Sequence, residues 1–183
     1  ISRTMTYRQI EFFHDDKHKV ATSETLAYFT KLSGFGFPED YRNFLCTVNG
    51  GSPWWGKNEV YLACPKRTEI HKFFPFIKFE LYTAQPGIWK TGSLRRPSFL
   101  FEIADLNDDR VILMDLEQPR LGRIYVAALD PQSKTKITKD SSIDDVLADR
   151  RSLEVADSFS EFMDQVEVVK KTSNTEKDLD LNT

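Results

Sequence analysis

The sequence predicts an α+β domain, with amino-terminal helices and a carboxyl-terminal helix packed on a mostly antiparallel sheet. Three observations predict it. Apolar residues recur at helical spacing between residues 23 and 48. Strand-like runs then follow at short intervals up to residue 129, and a capped apolar stripe opens at Ser158.

A short helix is expected over residues 7–13, where Tyr7, Ile10 and Phe13 share one face. The next helix is capped by Ser23, carries Leu26, Ala27 and Phe29, and ends at Gly34. The third is the best marked. Pro38 suits its first position, Glu39 and Asp40 lie at the positive end of its dipole, and Tyr41, Phe44, Leu45 and Val48 form its stripe. Asn49-Gly50-Gly51 supplies positive φ and a sharp turn. Strands are expected at residues 60–63, 99–103, 111–116 and 123–129, with an Asx-rich turn at 105–109. Such short spacings fit an antiparallel meander better than strand–helix–strand crossovers. Residues 73–89 resist assignment, and 130–142 read as a polar loop. A short helix is expected at 143–147. Ser158 and Glu161 then form a capping box, with Phe159, Phe162, Met163 and Val166 as the buried stripe. Three parts result: an extension at 1–22, a domain at 23–168 and a polar tail at 169–183.

Composition excludes several classes. An apolar fraction of 40% with 8 Gly and 8 Pro supports a core and rules out wholly disordered and collagen-like chains. No apolar run approaches the ~20 residues that span a bilayer. Ile1-Ser2-Arg3-Thr4-Met5 has no signal-peptide core, so a soluble, cytoplasmic protein without membrane partners is expected. Cys46 and Cys64 read as two free buried thiols.

Charge alternates along the chain. Residues 65–96 hold seven Lys/Arg against two Glu, and 102–117 hold six acids against one Arg. Residues 140–167 hold nine acids against two Arg. Nucleic-acid binding wants one basic face and a high pI, so it is not expected. The alternation fits either a surface that meets a basic protein or an ordinary solvated coat.

Catalytic and metal chemistry is thinly represented. His14 and His18 are four apart, but a metal site needs three or four ligands, which favours a solvated segment. His71 stands without a nearby Ser or Cys motif. Gly34-x-Gly36 lacks a third glycine, and Asn49-Gly50-Gly51-Ser52 lacks the Lys of a phosphate loop. Asp105, Asp108, Asp109 and Asp115 do not match a calcium loop. No catalytic residue, metal or cofactor is expected. Trp54 and Trp55, after the glycine turn, and Trp89 are either interface anchors or ordinary core and rim residues.

Phe37-Pro38-Glu39-Asp40-Tyr41-Arg42-Asn43-Phe44-Leu45 followed by Asn49-Gly50-Gly51 resembles the amino-terminal signature of the SUKH superfamily. Phe101-Glu102-Ile103 leading into Asp109-Arg110-Val111-Ile112-Leu113-Met114-Asp115 is similar to its strand pair, and Gly122-Arg123-Ile124-Tyr125-Val126 to the strand after it. Val155-Ala156-Asp157-Ser158-Phe159-Ser160-Glu161-Phe162-Met163 resembles its closing helix. Two departures are the long stretch between Asp130 and Leu153 and the individual residues 65–97.

The superfamily includes fungal cell-wall synthesis regulators and bacterial immunity proteins. The resemblance therefore implies a non-enzymatic binding domain. Its leading form is an immunity protein that neutralises a cognate polymorphic toxin, such as a nuclease, by direct contact. The alternative is a regulatory adaptor. Pro38, Tyr41, Phe44, Leu45, Asn49, Gly50, Gly51, Asp115, Ser158, Phe159 and Phe162 would then be scaffold. The partner would meet Trp54, Trp55 or Trp89, the turn residues Asp105, Asp108 and Asp109, and Asp144, Asp145 and Asp149. An acidic surface of that kind competes for a nuclease's basic cleft.

Overall fold

The computed structural model describes residues 10–12, 20–52, 58–63, 65–74, 97, 99–128, 137–138 and 140–171. Of the helix expected at 7–13, only residues 10–12 are described, and they are not helical. Trp54, Trp55, Trp89, Cys64, His14 and His18 lie outside the described residues.

Helix α1 spans Ser23–Ser33 and α2 spans Glu39–Thr47. The cap of α1 is Thr22 rather than Ser23. Its Oγ1 accepts from the Thr25 amide, and the Thr25 hydroxyl accepts from the Thr22 amide, a reciprocal box one residue earlier than expected. Pro38 likewise sits one position earlier, as the extended residue before Glu39 with ψ 155°. Tyr41, Phe44 and Leu45 are fully buried, as their spacing predicts. Cys46, on the opposite face of α2, is exposed, contrary to the buried thiol expected.

After α2 the chain turns through three consecutive positive φ values: Asn49 at 56°, Gly50 at 77° and Gly51 at 122°. Gly50 has a second reason to be glycine. A Cβ there would lie 2.7 Å from the Phe73 carbonyl oxygen and 2.8 Å from the Phe74 carbonyl carbon, both backbone. Gly34 shares the φ of 77° but faces open space. Gly50→Ala is expected to cost about 2–4 kcal/mol, from left-handed strain plus overpacking. Gly34→Ala should cost only about 1–2 kcal/mol. Urea denaturation of the two variants checks this, and equal losses would contradict the close-approach argument.

The strands are β1 (Asn58–Leu62), β2 (Thr68–Phe73), β3 (Leu100–Leu106), β4 (Val111–Asp115), β5 (Ile124–Ala127), β6 (Leu153–Ala156) and β7 (Val166–Lys170). Helix α3 (Ile143–Leu147) precedes β6, and α4 (Phe159–Asp164) joins β6 to β7. All pairings are antiparallel, in the order β6-β5-β4-β3-β2-β1-β7. The meander is as expected, but β2, β6 and β7 are additional strands. Residues 169 and 170, placed in the tail on sequence, pair with Glu59 and Asn58. Val166 is buried from β7, not from the closing helix.

The sheet must curl. Seven flat strands would hold β6 and β7 roughly 29 Å apart. Only nine residues, six of them helical, separate Ala156 from Val166, a reach of about 20–25 Å. Gln165 ties the closure: its Nε2 donates to the Val155 carbonyl at 2.7 Å, and its own carbonyl accepts from the Ala63 amide at 3.2 Å. The capping box of α4 is only half formed. Ser158 Oγ accepts from the Glu161 amide, but the Glu161 carboxylate accepts from Asp157 rather than Ser158. Asp40 adds a clamp by accepting from the Ser160 amide at 2.8 Å, fixing α4 against α2.

The main core lies inside the curl, where Phe29, Phe37, Tyr41, Phe44, Phe73, Phe101 and Phe159 pack together. A smaller core forms on the outer face of β3–β5, where Leu100, Val111, Leu113 and Tyr125 meet Val146 of α3. So α3 covers that half of the outer face. Strands β4 and β5, apolar on both sides, read as continuous runs for this reason.

Candidate partner-binding surface

Two bulges decide what the other half of the outer face presents. In β3 the register shifts between Glu102 and Ala104, so Phe101 and Ile103 face the main core and then Ala104 and Leu106 do. Asp105 is thereby a strand residue on the outer face, not part of the turn where the sequence placed it. In β2 a shift between Ile70 and Lys72 brings Lys72 opposite Asp105. His71 Nδ1 lies 3.9 Å from Asp105 Oδ2. Asp105 Oδ1 is buried and accepts no hydrogen bond among the described residues. Burial pushes this carboxyl up, against the opposing charges of His71 and Lys72.

Alternation in β1 and β7 sends Val60, Leu62, Val166 and Val168 inward and Glu59, Tyr61, Glu167 and Val169 outward. The register places Glu167 and Glu69 directly beside Tyr61, one across each ladder, and Val169 beside Glu59. Arg67 lies over the Tyr61 ring with its guanidinium carbon 3.5 Å from the centroid. Its Nε donates to Glu167 Oε2 at 2.9 Å, and both side chains keep 50% of their surface. The Tyr61 hydroxyl donates to Glu59 Oε2 at 2.7 Å, a bond that raises the pKa of the phenol. Asn107 Nδ2 donates to Glu69 Oε2 at 3.2 Å. The outcome is a solvent-facing row running Glu167, Tyr61, Glu69, Asn107 across three strands and into a turn.

The predicted acidic residues are arranged differently. Desolvation works against ionised Asp108, but the hydrogen bonds and the charge of Arg110 outweigh it, and its pKa is lowered. Asp149 is lowered chiefly by its hydrogen bonds to Arg151. Arg110 Nη1 also donates to the Arg151 carbonyl at 3.4 Å, which joins the β3–β4 turn to the loop before β6. Asp145 caps α3, accepting from the Ser142 amide and hydroxyl. Asp109, at φ 63°, and Asp144 are exposed. Asp115 is no surface residue. It is fully buried, accepting from Arg120 Nε at 2.8 Å and from the Glu117 amide at 2.9 Å.

The sequence reading missed Tyr61, Arg67, Glu59, Glu69 and Glu167. The Asn-Glu-Val-Tyr-Leu alternation of β1 was the available signal for the first and third. Among the described residues, no group of three or more His, Cys, Asp or Glu side chains is placed to hold a metal ion. No described helix is long and apolar enough to cross a membrane.

No curated protein and no solved structure matches the chain. The profile of one family does, over residues 20–165, which takes in every described helix and all strands but the last. On that match, and on the packed helices and antiparallel meander that accompany it, the chain belongs to the SMI1 / KNR4 family (SUKH-1).

Proposed function

We propose that this chain is a non-enzymatic binding protein of the cytoplasm, acting as an immunity protein that neutralises a cognate toxin domain by direct contact. Family membership over residues 20–165 carries the reading, since bacterial proteins of the SUKH superfamily are associated with polymorphic toxin systems. The geometry agrees with it. Tyr41, Phe44, Leu45, Phe159 and Phe162, the side chains of the family-like motifs, are used up in packing. Charged side chains on the outer face of β1 and β7 stay open to solvent, where Arg67 and Glu167 are half exposed.

Affinity purification from the producing organism tests the reading. A polypeptide with toxic activity should accompany the chain at one copy each, and its activity should be silent in the complex. A signalling protein in its place would establish the regulatory-adaptor alternative instead. Charged surfaces attract through solvent, so the association rate should fall steeply between about 0.02 and 0.5 M salt. Stopped-flow mixing measures this, and a flat rate would remove electrostatics from the account.

A further inference from the structure

Two acidic surfaces compete for the partner, and a tyrosine–arginine stack within one of them separates them. Around the β3–β4 turn and the loop before β6, Asp108 and Asp149 are paired with Arg110 and Arg151 and Asp145 is spent on a helix cap, while Asp109 and Asp144 stay exposed. On the open half of the outer face, Glu59, Glu69, Glu167 and Asp105 stand against Arg67 and Lys72. Glu59, Glu69 and Glu167 each engage a neighbour through Oε2, leaving the second oxygen as an acceptor. Between them sits a Tyr61–Arg67 stack, the two residue types that with Trp most often dominate interface energetics. The stack is pre-organised, because the Tyr61 hydroxyl and the Arg67 guanidinium are each held by a carboxylate, so little side-chain freedom remains to be lost on binding.

We propose that the outer face of β7, β1 and β2 is the docking surface, with Tyr61 and Arg67 at its centre and Glu59, Glu69 and Glu167 around them, and that it takes a protein surface presenting Lys or Arg side chains. The proposal rests on the binding-protein reading above and names the face and the partner chemistry. Side chains of the partner reach the free carboxylate oxygens, while its peptide carbonyls accept from the free edge of Arg67. Val169, 40% exposed, extends the contact with apolar surface.

Two measurements test this. In the first, octalysine is titrated into ¹⁵N-labelled protein at low salt. Shift changes should concentrate at residues 59, 61, 67, 69 and 167. The triple variant Glu59→Lys/Glu69→Lys/Glu167→Lys should weaken binding by on the order of tenfold. The triple variant Asp109→Lys/Asp144→Lys/Asp145→Lys should stay within about twofold, its helix-cap loss notwithstanding. Should the three-glutamate variant fail to give a folded spectrum, Glu167→Gln alone replaces it, with a smaller loss expected. Shift changes centred on the turn at 107–110 or on residues 140–149, or scattered without a centre, would overturn the proposal.

In the second, the polypeptide that accompanies the chain is bound to wild type, to the glutamate variant and to Tyr61→Ala. Weaker binding by both variants is expected. Equal binding to all three would overturn the docking surface while leaving the binding-protein reading intact. If no polypeptide accompanies the chain, that reading falls, and the octalysine map still decides where basic side chains are accepted.

Discussion

Phe44→Ala is expected to lose about 3–5 kcal/mol of stability, the usual cost of emptying a fully buried aromatic site. The side chain has no exposure, and it is shared by every layer of the main core. Its ring lies 5.8 Å from Tyr41 on its own helix, 5.9 Å from Phe73 of β2, 5.1 Å from Phe159 of α4 and 6.1 Å from Phe12. Three segments distant in sequence therefore lose a common neighbour at once, and rigid rings collapse poorly into the space. Phe44→Leu keeps most of the volume and should lose roughly 1–1.5 kcal/mol. Against a total of about 5–15 kcal/mol for a domain, the alanine variant should unfold at a much lower denaturant midpoint. A loss below 1 kcal/mol would mean that α2 is not held against the sheet as described.

Arg120→Met should cost about 3 kcal/mol at pH 7, and less in acid. Asp115 is fully buried at the end of β4, and among the described residues Arg120 is its only side-chain partner, 30% exposed at the rim. Removing the guanidinium strands a carboxylate in low dielectric. The cost is set at the lower end for a broken buried pair because the rim position admits water. Burial already holds the Asp115 carboxyl above the ordinary 3.8, with the Glu117 amide and Arg120 opposing. Without Arg120 it rises further. A raised acid favours folding when protonated, so the stability is full below the unfolded value near 3.8 and is lost as pH climbs through the folded value. The gap between variant and wild type should therefore be small at pH 4 and widen toward pH 7. Asp115→Asn/Arg120→Met removes both charges and should recover much of the loss. A pH-independent deficit in the single variant would show that Arg120 acts by packing on Phe99, 5.8 Å away, and not by charge.

These two residues also show what sequence could and could not reveal. The stripe containing Phe44 is periodic over about two turns, so α2 was legible with its buried face. The meander from β3 to β5 was legible because its strands are apolar and closely spaced. The strand β2, Thr-Glu-Ile-His-Lys-Phe, was not, because its bulge puts Ile70 and Phe73 on one side and so breaks the alternation that marks a strand. Val166 falls four residues after Phe162 and three after Met163, in phase with α4, so β7 was hidden behind a helical pattern. Asp115 was recognised as part of a motif, but nothing local announced that it would be buried with Arg120.

The surface was less legible than the core. The acidic residues were visible, yet their neutralising partners two positions on, Arg110 after Asp108 and Arg151 after Asp149, were equally visible and decide how much charge survives. The outer-face cluster is a product of long-range register. Arg67 and Glu167 are 100 residues apart and meet only because β7 crosses the closed end of the sheet to lie beside β1. No period or spacing in the chain encodes that meeting.

The proposed immunity role requires that the chain act by occupying another protein rather than by transforming anything. Titrating it into a fixed amount of the polypeptide that accompanies it, with that polypeptide's toxic activity as the readout, tests the proposed role. Inhibition should rise linearly and end sharply at one molar equivalent, unchanged by longer incubation. Full inactivation by a small fraction of an equivalent, deepening with time, would reveal turnover and contradict the account.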